Sequence, residues 1–367
     1  MKKPTTIIFA VDDRPPILVT VFSGLQHVGI IAIVLVFPLL IGREAGLPAD
    51  RIADMLSMTM LVLGLAAVLQ SLGRRGIGAG FLCPSVCTAS YLAPSLLAVK
   101  AGGIGLAFGM TVFAGLVECA LSRLMRPLRP YLPPEISGLV VALIGVNLGS
   151  LAFRNLLGVS LPQAQQLPHF TVAAVTLGTM VGLSVWSRGK ARLLCALIGM
   201  AAGYAASAAG GLFSAEDLRT LQAAETVSLP RLAATGWAWD GSLAVAFIVA
   251  AVANCVRTIG DVTICQKIND ADWVRPDMRS ISGGAMASGI SNVIAGAIGG
   301  HGVSTYTSSV GLAAATGVTS RYVGYAIGAI FLALAFMPKA SAVFLIMPAP
   351  VIGAATLFTA AIIFLNG

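Results

Sequence analysis

Charge is what this sequence has least of. Only 10% of its 367 residues are Asp, Glu, Lys or Arg, against about 25% in a soluble domain. No stretch is polar enough to fold as a separate water-soluble domain, and the longest polar run is about 214–240. There is no HExxH, no GxSxG and no pair of aspartates on adjacent apolar segments, so the sequence does not read as an enzyme. The six cysteines form no CxxC pair and lie near no histidine at metal-ligand spacing. Neither a disulfide framework, a zinc site nor any other cofactor is therefore expected, and the thiols read as small apolar packing residues. The N-terminus, MKKPTTIIFAVDDRPP, lacks the unbroken apolar core of a signal peptide, because Asp12, Asp13 and two prolines interrupt it. The first apolar segment is expected to be retained.

What is abundant is hydrophobicity: 57% of residues are apolar and the mean hydropathy is +0.90. Segments of about 20 apolar residues, each long enough to cross a hydrocarbon layer of ~30 Å, recur from end to end. We place them near 17–41, 53–72, 80–98, 103–122, 135–152, 169–186, 192–213, 242–264, 281–298, 300–314, 322–338 and 343–365. The fold class is an all-α polytopic membrane protein embedded in the lipid bilayer. With the N-terminus in the cytoplasm, fifteen of the 23 Lys and Arg fall in cytoplasmic loops and seven outside, as the positive-inside rule requires. The net charge of +8 is thus a topology signal, not a nucleic-acid surface. A bacterial-type inner or plasma membrane is the expected location. Trp237 and Trp239, before the eighth span, suit an interfacial aromatic belt.

One basic residue lies in no loop. Arg257 and Asp261 sit in AAVANCVRTIGDVTICQ, at membrane depth and one helical turn apart, so they share a face. A charge at the bilayer centre costs roughly 2.5–3.5 kcal/mol, and such residues usually face a protein-lined cavity. Either the pair binds a solute, or it is a self-satisfied brace between helices.

Two spans are not ordinary membrane helices. The third, GFLCPSVCTASYLAPSLLAV, contains Pro84 and Pro94; the tenth, GGHGVSTYTSSVGLAAA, opens with three glycines in four residues. Backbone groups freed by proline and glycine are tolerated at membrane depth only inside protein or beside water. Each segment is expected to join an extended stretch to a half-helix. LPPEISG (132–138) aligns with MPAPVIG (347–353) at an offset of 215, and Val86 and Thr88 fall on Val303 and Thr305 at 217. The two broken spans are seven apart, an odd number, so the second unit is inverted. Interrupted helices in corresponding places of inverted repeats mark a transporter's midplane site. The first repeat has seven spans and the second five, so two are expected to be missing or supplied from elsewhere.

GLQHVGI in span one, TASYLAP in span three, AGLVE in span four, LPPEISGLVVALIGVNLG in span five, RTIGD in span eight, GHGVSTYTSSVG in span ten and PAPVIGAATL in span twelve together resemble the nucleobase–ascorbate transporter family, the xanthine and uracil permeases. The resemblance implies inverted seven-helix repeats and transport by elevator-like alternating access, usually by a homodimer and usually coupled to protons. On that basis residues 1–130 form the core domain and 131–240 the gate domain of the first repeat. Residues 241–342 and 343–367 are their counterparts in the second repeat.

The departures are specific. Family members carry Glu where this chain has Arg257, and Gln-Asn or Glu-Asn where it has Gly299 and Gly300, ahead of His301 and Gly302. The two side chains that would grip a base edge are therefore absent, while Asp261 keeps the family pattern. The family's stacking aromatic falls near Ala89, Ser90 and Tyr91. Two half-helix N-termini and a guanidinium around one cavity favour an anion. Urate, xanthinate or a small organic carboxylate is expected over neutral uracil. The candidate substrate-binding set is Arg257, Asp261, Tyr91, Ala89, Ser90, Gly299, Gly300, His301, Gly302 and Val303. Gln26, His27 and Glu118 are supporting or proton-coupling candidates, and His301 is a second proton-coupling candidate. Asp54 is expected to cap the start of span two. The competing readings are a sulfate-permease-type anion transporter and a non-transporting partner subunit.

Overall fold

The computed structural model describes residues 2–128, 163–187, 194–234 and 236–366, together with Ala191 and scattered residues between 142 and 157. The expected fifth span and its LPPEISG motif lie outside the continuously described residues. Six described helices are long and apolar enough to cross a membrane.

The first span runs Ile17–Glu44 and comprises α1 (Ile17–Ala32), one 3-10 turn and α2 (Val36–Glu44). It is followed by α3 (Ala49–Leu72), a strand β1 (Ser85–Cys87), α4 (Ala89–Gly102) and α5 (Ile104–Leu128). Next come α6 (Gln163–Trp186), α7 (Cys195–Ala209) and a surface helix α8 (Ala215–Ala223). The second half holds α9 (Ala244–Asn269), α10 (Met278–Ile298), strand β2 (Val303–Thr305), α11 (Thr307–Thr316), α12 (Arg321–Ala335), α13 (Pro338–Leu345) and α14 (Ala349–Asn366).

Both broken spans are built as their residues demand: three extended residues followed by a half-helix. The strands pair antiparallel, Ser85 with Thr305, Val86 with Ser304 and Cys87 with Val303. The Thr88 N–H donates to the Gly302 carbonyl at 3.0 Å and the Tyr306 N–H to the Pro84 carbonyl at 3.1 Å. These two bonds are equivalent under a two-fold axis through the crossover. Backbone groups that proline and glycine free at membrane depth are thus satisfied by each other. Ala89 and Thr307 each begin a half-helix. The repeat offset at the crossover is therefore 218, one more than the sequence self-match gives, because few identities anchor that match.

Packing obeys the same symmetry. Helices α3 and α12 form one tight pair, α5 and α10 the other. Each pair meets at glycine: a Cβ on Gly64 would stand 2.9 Å from the Gly328 carbonyl oxygen, and one on Gly289 2.9 Å from that of Gly115. Without a hydrophobic drive between helices in lipid, such close backbone approach supplies the attraction. Helices α1, α4 and α9 complete this group, while α6, α7 and α14 pack on one another.

Three expectations shift in detail. Span eleven bends by 81° between Arg321–Ala335 and Pro338–Leu345, where Pro338 opens the second helix. The last span therefore starts at Ala349, not 343, after a break at Ile346–Pro348. Asp54 caps no helix end. It lies one turn inside α3 and pairs with Arg51 at 3.5 Å. The polar stretch 214–240 begins with a capping box at Ser214 and Asp217, then crosses the helix ends. There Ala233 donates to Ile298 O, Ser228 to Phe336 O and the Trp237 indole to Gly296 O.

Candidate functional site

The crossover is fixed from below by a buried polar cluster. Glu118 of α5 is fully buried. Its Oε1 accepts from the Tyr91 hydroxyl at 2.7 Å and Asn254 Nδ2 at 3.0 Å, and its Oε2 from Asn292 Nδ2 at 2.9 Å. Both asparagines also donate to the Val303 carbonyl, at 3.2 and 3.0 Å. The Val303 N–H returns a bond to Asn292 Oδ1 at 2.6 Å, and Thr88 Oγ1 donates to Asn254 Oδ1 at 3.1 Å. Four helices and β2 are tied around one carboxylate, with Thr88, just after β1, joined to them through Asn254, and every amide group in the cluster has a partner.

Asp261 holds the other side. Its Oδ2 accepts from Thr305 Oγ1 at 2.7 Å and its Oδ1 from Thr307 Oγ1 at 2.6 Å, which anchors the start of α11 to α9. Arg257 Nε stands 4.0 Å from Asp261 Oδ2, with the arginine side chain 22% exposed and the aspartate 3%. Asp261 thus spends its short hydrogen bonds on the threonines, and the guanidinium receives only a long ion pair.

The guanidinium lines a pocket of about 50 Å³ between the crossover and the α7–α14 group, room for a few waters. Its walls are Phe37 of span one, Cys87 and Ala89 of span three, and Tyr306, Thr307 and Ser308 of span ten, faced by Ala196 of α7 and by Phe358 and Thr359 of α14. Both half-helices begin at this wall. Thr88 caps α4 by accepting from the Ser90 N–H at 3.3 Å, whereas Tyr306 offers no side-chain cap to α11. Among the described residues no side chain caps the first turn of α11, whose Thr307 and Ser308 line the pocket.

Of the sequence-derived candidates, Arg257 and Ala89 line this pocket and Asp261 stands directly behind it. Tyr91 does not line it. Its ring is fully buried against Gly302, where a Cβ would come within 2.8 Å of Tyr91 Cγ. Ser90 is buried beside it. Val303 belongs to the crossover backbone. His301 is buried, with Nε2 3.0 Å from the Thr88 carbonyl and its N–H on Thr59 Oγ1 at 3.1 Å. Gly299, at φ 86°, ends α10 and packs on Ala233 and Ala234; Gly300 lies on Met58. His27 is buried on Ser309 Oγ at 3.0 Å, and neighbouring Gln26 is half-buried on α1.

Sequence reasoning passes over Asn254 and Asn292, and the pocket aromatics Phe37 and Tyr306. A signal exists for the first: Asn254, Thr258 and Asp261 repeat at helical spacing on one face of an apolar helix. For Tyr306, the crossover offset of 218 makes it the second-repeat equivalent of Thr88, a place no motif singles out.

The family profile of the xanthine/uracil permeases, described as a permease family, matches residues 18–367. Xanthine permease XanP of Escherichia coli (strain K12) is 27% identical over 366 residues, covering 96% of this chain and 79% of that protein. Uric acid permease PucJ of Bacillus subtilis (strain 168) is 27% identical over 354 residues, covering 94% and 77%. Among solved structures, the transmembrane domain of the cyanobacterial bicarbonate transporter BicA superposes with a TM-score of 0.62 at 17% identity, over 94% of this chain and 88% of that one. At that identity the likeness concerns the inverted-repeat fold alone.

Proposed function

The chain belongs to the xanthine/uracil permease family, and on that premise we propose that it is a secondary active transporter for an oxidised, readily ionised purine such as urate or xanthine. It is thus an integral membrane permease and not an enzyme. The observation that carries the substrate reading is the position of Arg257 on the pocket wall, with its nearest carboxylate 4.0 Å away and occupied by two threonines. A planar fork with no hydrogen-bond partner among the described residues suits a planar anion, and the aromatic rings of Phe37 and Tyr306 offer faces for a heterocycle. The relatives named for xanthine and uric acid support the same class.

The α1–α5 and α9–α12 elements act as a core that carries the site, and α6, α7 and α14 as the gate it moves against, in an elevator-like exchange. The pocket of about 50 Å³ must widen for a purine, which this relative motion supplies. Proton coupling and a homodimer extend the reading from the family resemblance, with the N-terminus cytoplasmic.

The test is uptake of labelled urate, xanthine, uracil and sulfate into proteoliposomes with and without an imposed pH gradient. Urate and xanthine uptake is expected to exceed uracil and sulfate. Losing one charge-assisted pair is worth about 1.5–3 kcal/mol, so Arg257→Gln is expected to raise the urate KM roughly 10- to 100-fold. An unchanged preference in Arg257→Gln and Arg257→Glu overturns the anion reading, and sulfate as the best substrate overturns the purine reading.

A further inference from the structure

A second, larger cavity lies away from the Arg257 pocket and shares no lining residue with it. Its volume is about 520 Å³, and it is walled by the turn after α3, the connection between α9 and α10, and the first residue of α12. The turn is GRRGIGAG (73–80), in which Gly73, Arg75, Gly76, Gly78 and Gly80 all have positive φ. A Cβ on Gly78 would fall 2.2 Å from the Leu69 carbonyl, so the loop is folded tightly on α3; one on Gly76 meets nothing. The cavity side of the loop is therefore bare backbone.

Three arginines border the cavity. Arg321 is paired with Asp12 at 2.6 Å. Arg275 and Arg279 are exposed, and among the described residues neither forms a salt bridge. Two acids also border it, and both are engaged with backbone. Asp270 accepts from the Lys2 and Asp272 N–H groups at 2.8 and 3.3 Å, and Asp277 caps α10 through the Arg279 N–H at 2.9 Å. The N-termini of α10 and α12 meet here, adding their positive ends.

Two buried N–H donors in the wall, Trp273 Nε1 and Arg321 Nε, have no acceptor among the described residues. An unmet buried donor is destabilising, and turning either toward an anion in the cavity would satisfy it. We propose that this cavity is a binding site for a phosphate group, held by Arg275, Arg279 and the Trp273 indole N–H beside the bare glycine turn, whose Gly78, Ala79 and Gly80 N–H groups are already given to the Gly283 carbonyl, Gln70 Oε1 and the Gln70 carbonyl. Its chemistry fits a lipid phosphodiester or a free phosphate or pyrophosphate. A chloride-sized ion would leave most of 520 Å³ unfilled.

The experiment is thermal unfolding of the purified full chain in neutral detergent at fixed ionic strength. The probes are sodium phosphate, sodium pyrophosphate, dioctanoyl phosphatidylglycerol and, as control, sodium chloride. At least one phosphate probe is expected to raise the midpoint in a concentration-dependent way, with chloride inert. Arg275→Gln/Arg279→Gln is expected to keep the unliganded midpoint, since both side chains are exposed, and to lose most of the shift. Arg275→Gln alone, at a loop position, should weaken it and serves if the double variant folds poorly. A response to phosphate or pyrophosphate without lipid assigns a soluble ligand; a response to phosphatidylglycerol only assigns a lipid headgroup. No shift with any phosphate probe, or a full shift in both variants, overturns the proposal.

Discussion

Replacing Glu118 by Gln changes one atom and tests the cluster beneath the crossover. Three donors converge on the carboxylate: the Tyr91 hydroxyl and Asn254 Nδ2 on Oε1, and Asn292 Nδ2 on Oε2. A glutamine has one acceptor oxygen, so its NH2 must face a donor whichever way it turns. If the NH2 takes the Oε2 place it meets Asn292 Nδ2, and Asn292 cannot flip because its Oδ1 holds the Val303 N–H at 2.6 Å. If it takes the Oε1 place it meets Asn254 Nδ2, whose Oδ1 is held by Thr88. At least one buried donor is left unmet, at about 1–3 kcal/mol, and the remaining bonds lose their charge assistance. The relief of a buried charge offsets part of this, which leaves a destabilisation of about 2–3 kcal/mol. Asn292→Leu strands the Val303 N–H and one Glu118 oxygen at a similar cost. Because the two residues share one bond, the double variant is expected to be less destabilised than the sum of the singles by about 1 kcal/mol or more. The assay is unfolding of detergent-solubilised protein by added sodium dodecyl sulfate, with tryptophan emission as readout. Strict additivity, or a Glu118→Gln protein as stable as wild type, refutes the reasoning.

The strand register gives a covalent test. The flanking bonds Thr88 to Gly302 and Tyr306 to Pro84 place Cys87 opposite Val303 at a non-hydrogen-bonded pair. Cα atoms there stand about 4.5 Å apart, inside the disulfide range. Val303→Cys is expected to cross-link to Cys87 under an apolar oxidant, shown by loss of two alkylatable thiols in mass spectrometry; both thiols staying free refutes the register. Gly302→Ala puts a methyl 2.8 Å from Tyr91 Cγ and is expected to destabilise by about 1–3 kcal/mol and to slow uptake, measured in the same unfolding and uptake assays. Arg43 donates from Nη2 to the Leu345 and Met347 carbonyls, at 2.9 and 3.2 Å, at the break before α14. Arg43→Met is expected to cost about 1–3 kcal/mol and to speed hydrogen exchange at residues 345–347.

Much of the fold is legible because bilayer physics writes in long words. The interrupted third and tenth spans announce themselves, since Pro84 and the Gly299–Gly302 run cannot continue a helix, and the structure places both as strand plus half-helix. The bend at Met337 is not legible, because Pro338 reads equally as the end of one span or the first turn of the next. The site is half legible. Arg257 stands out as a charge in an apolar helix, but Tyr91 points to the substrate only by its place in a motif. It lies in the first turn of a half-helix whose first residue, Ala89, faces the pocket. Two positions later the 3.6-residue period has turned the side chain to the opposite side, onto Glu118. Contacts across the crossover between segments some 200 residues apart depend on register, and three strand residues are too few to specify it in sequence.

The division of labour across the pocket has a mechanical consequence. Arg257, Thr307, Ser308 and the uncapped start of α11 all stand on the crossover side, and all are tied to it through Asp261, Thr305 and the Glu118 cluster. The opposing wall from α7 and α14 is Ala196, Phe358, Ile362 and a single hydroxyl, Thr359; the Thr359 hydroxyl is already bonded to the Ala355 carbonyl at 2.8 Å. Among the described residues, the groups able to bind directionally therefore stand on one packing group, and the other offers only apolar closure. Under the proposed elevator-like exchange, a solute held this way would keep its polar contacts as the two groups slide, because no hydrogen bond would have to break across the sliding surface. Placing a second guanidinium on the far wall, Thr359→Arg, would span that surface with an anion-mediated clamp. It is expected to tighten urate binding while lowering the uptake rate. Faster uptake in Thr359→Arg would contradict a one-sided site.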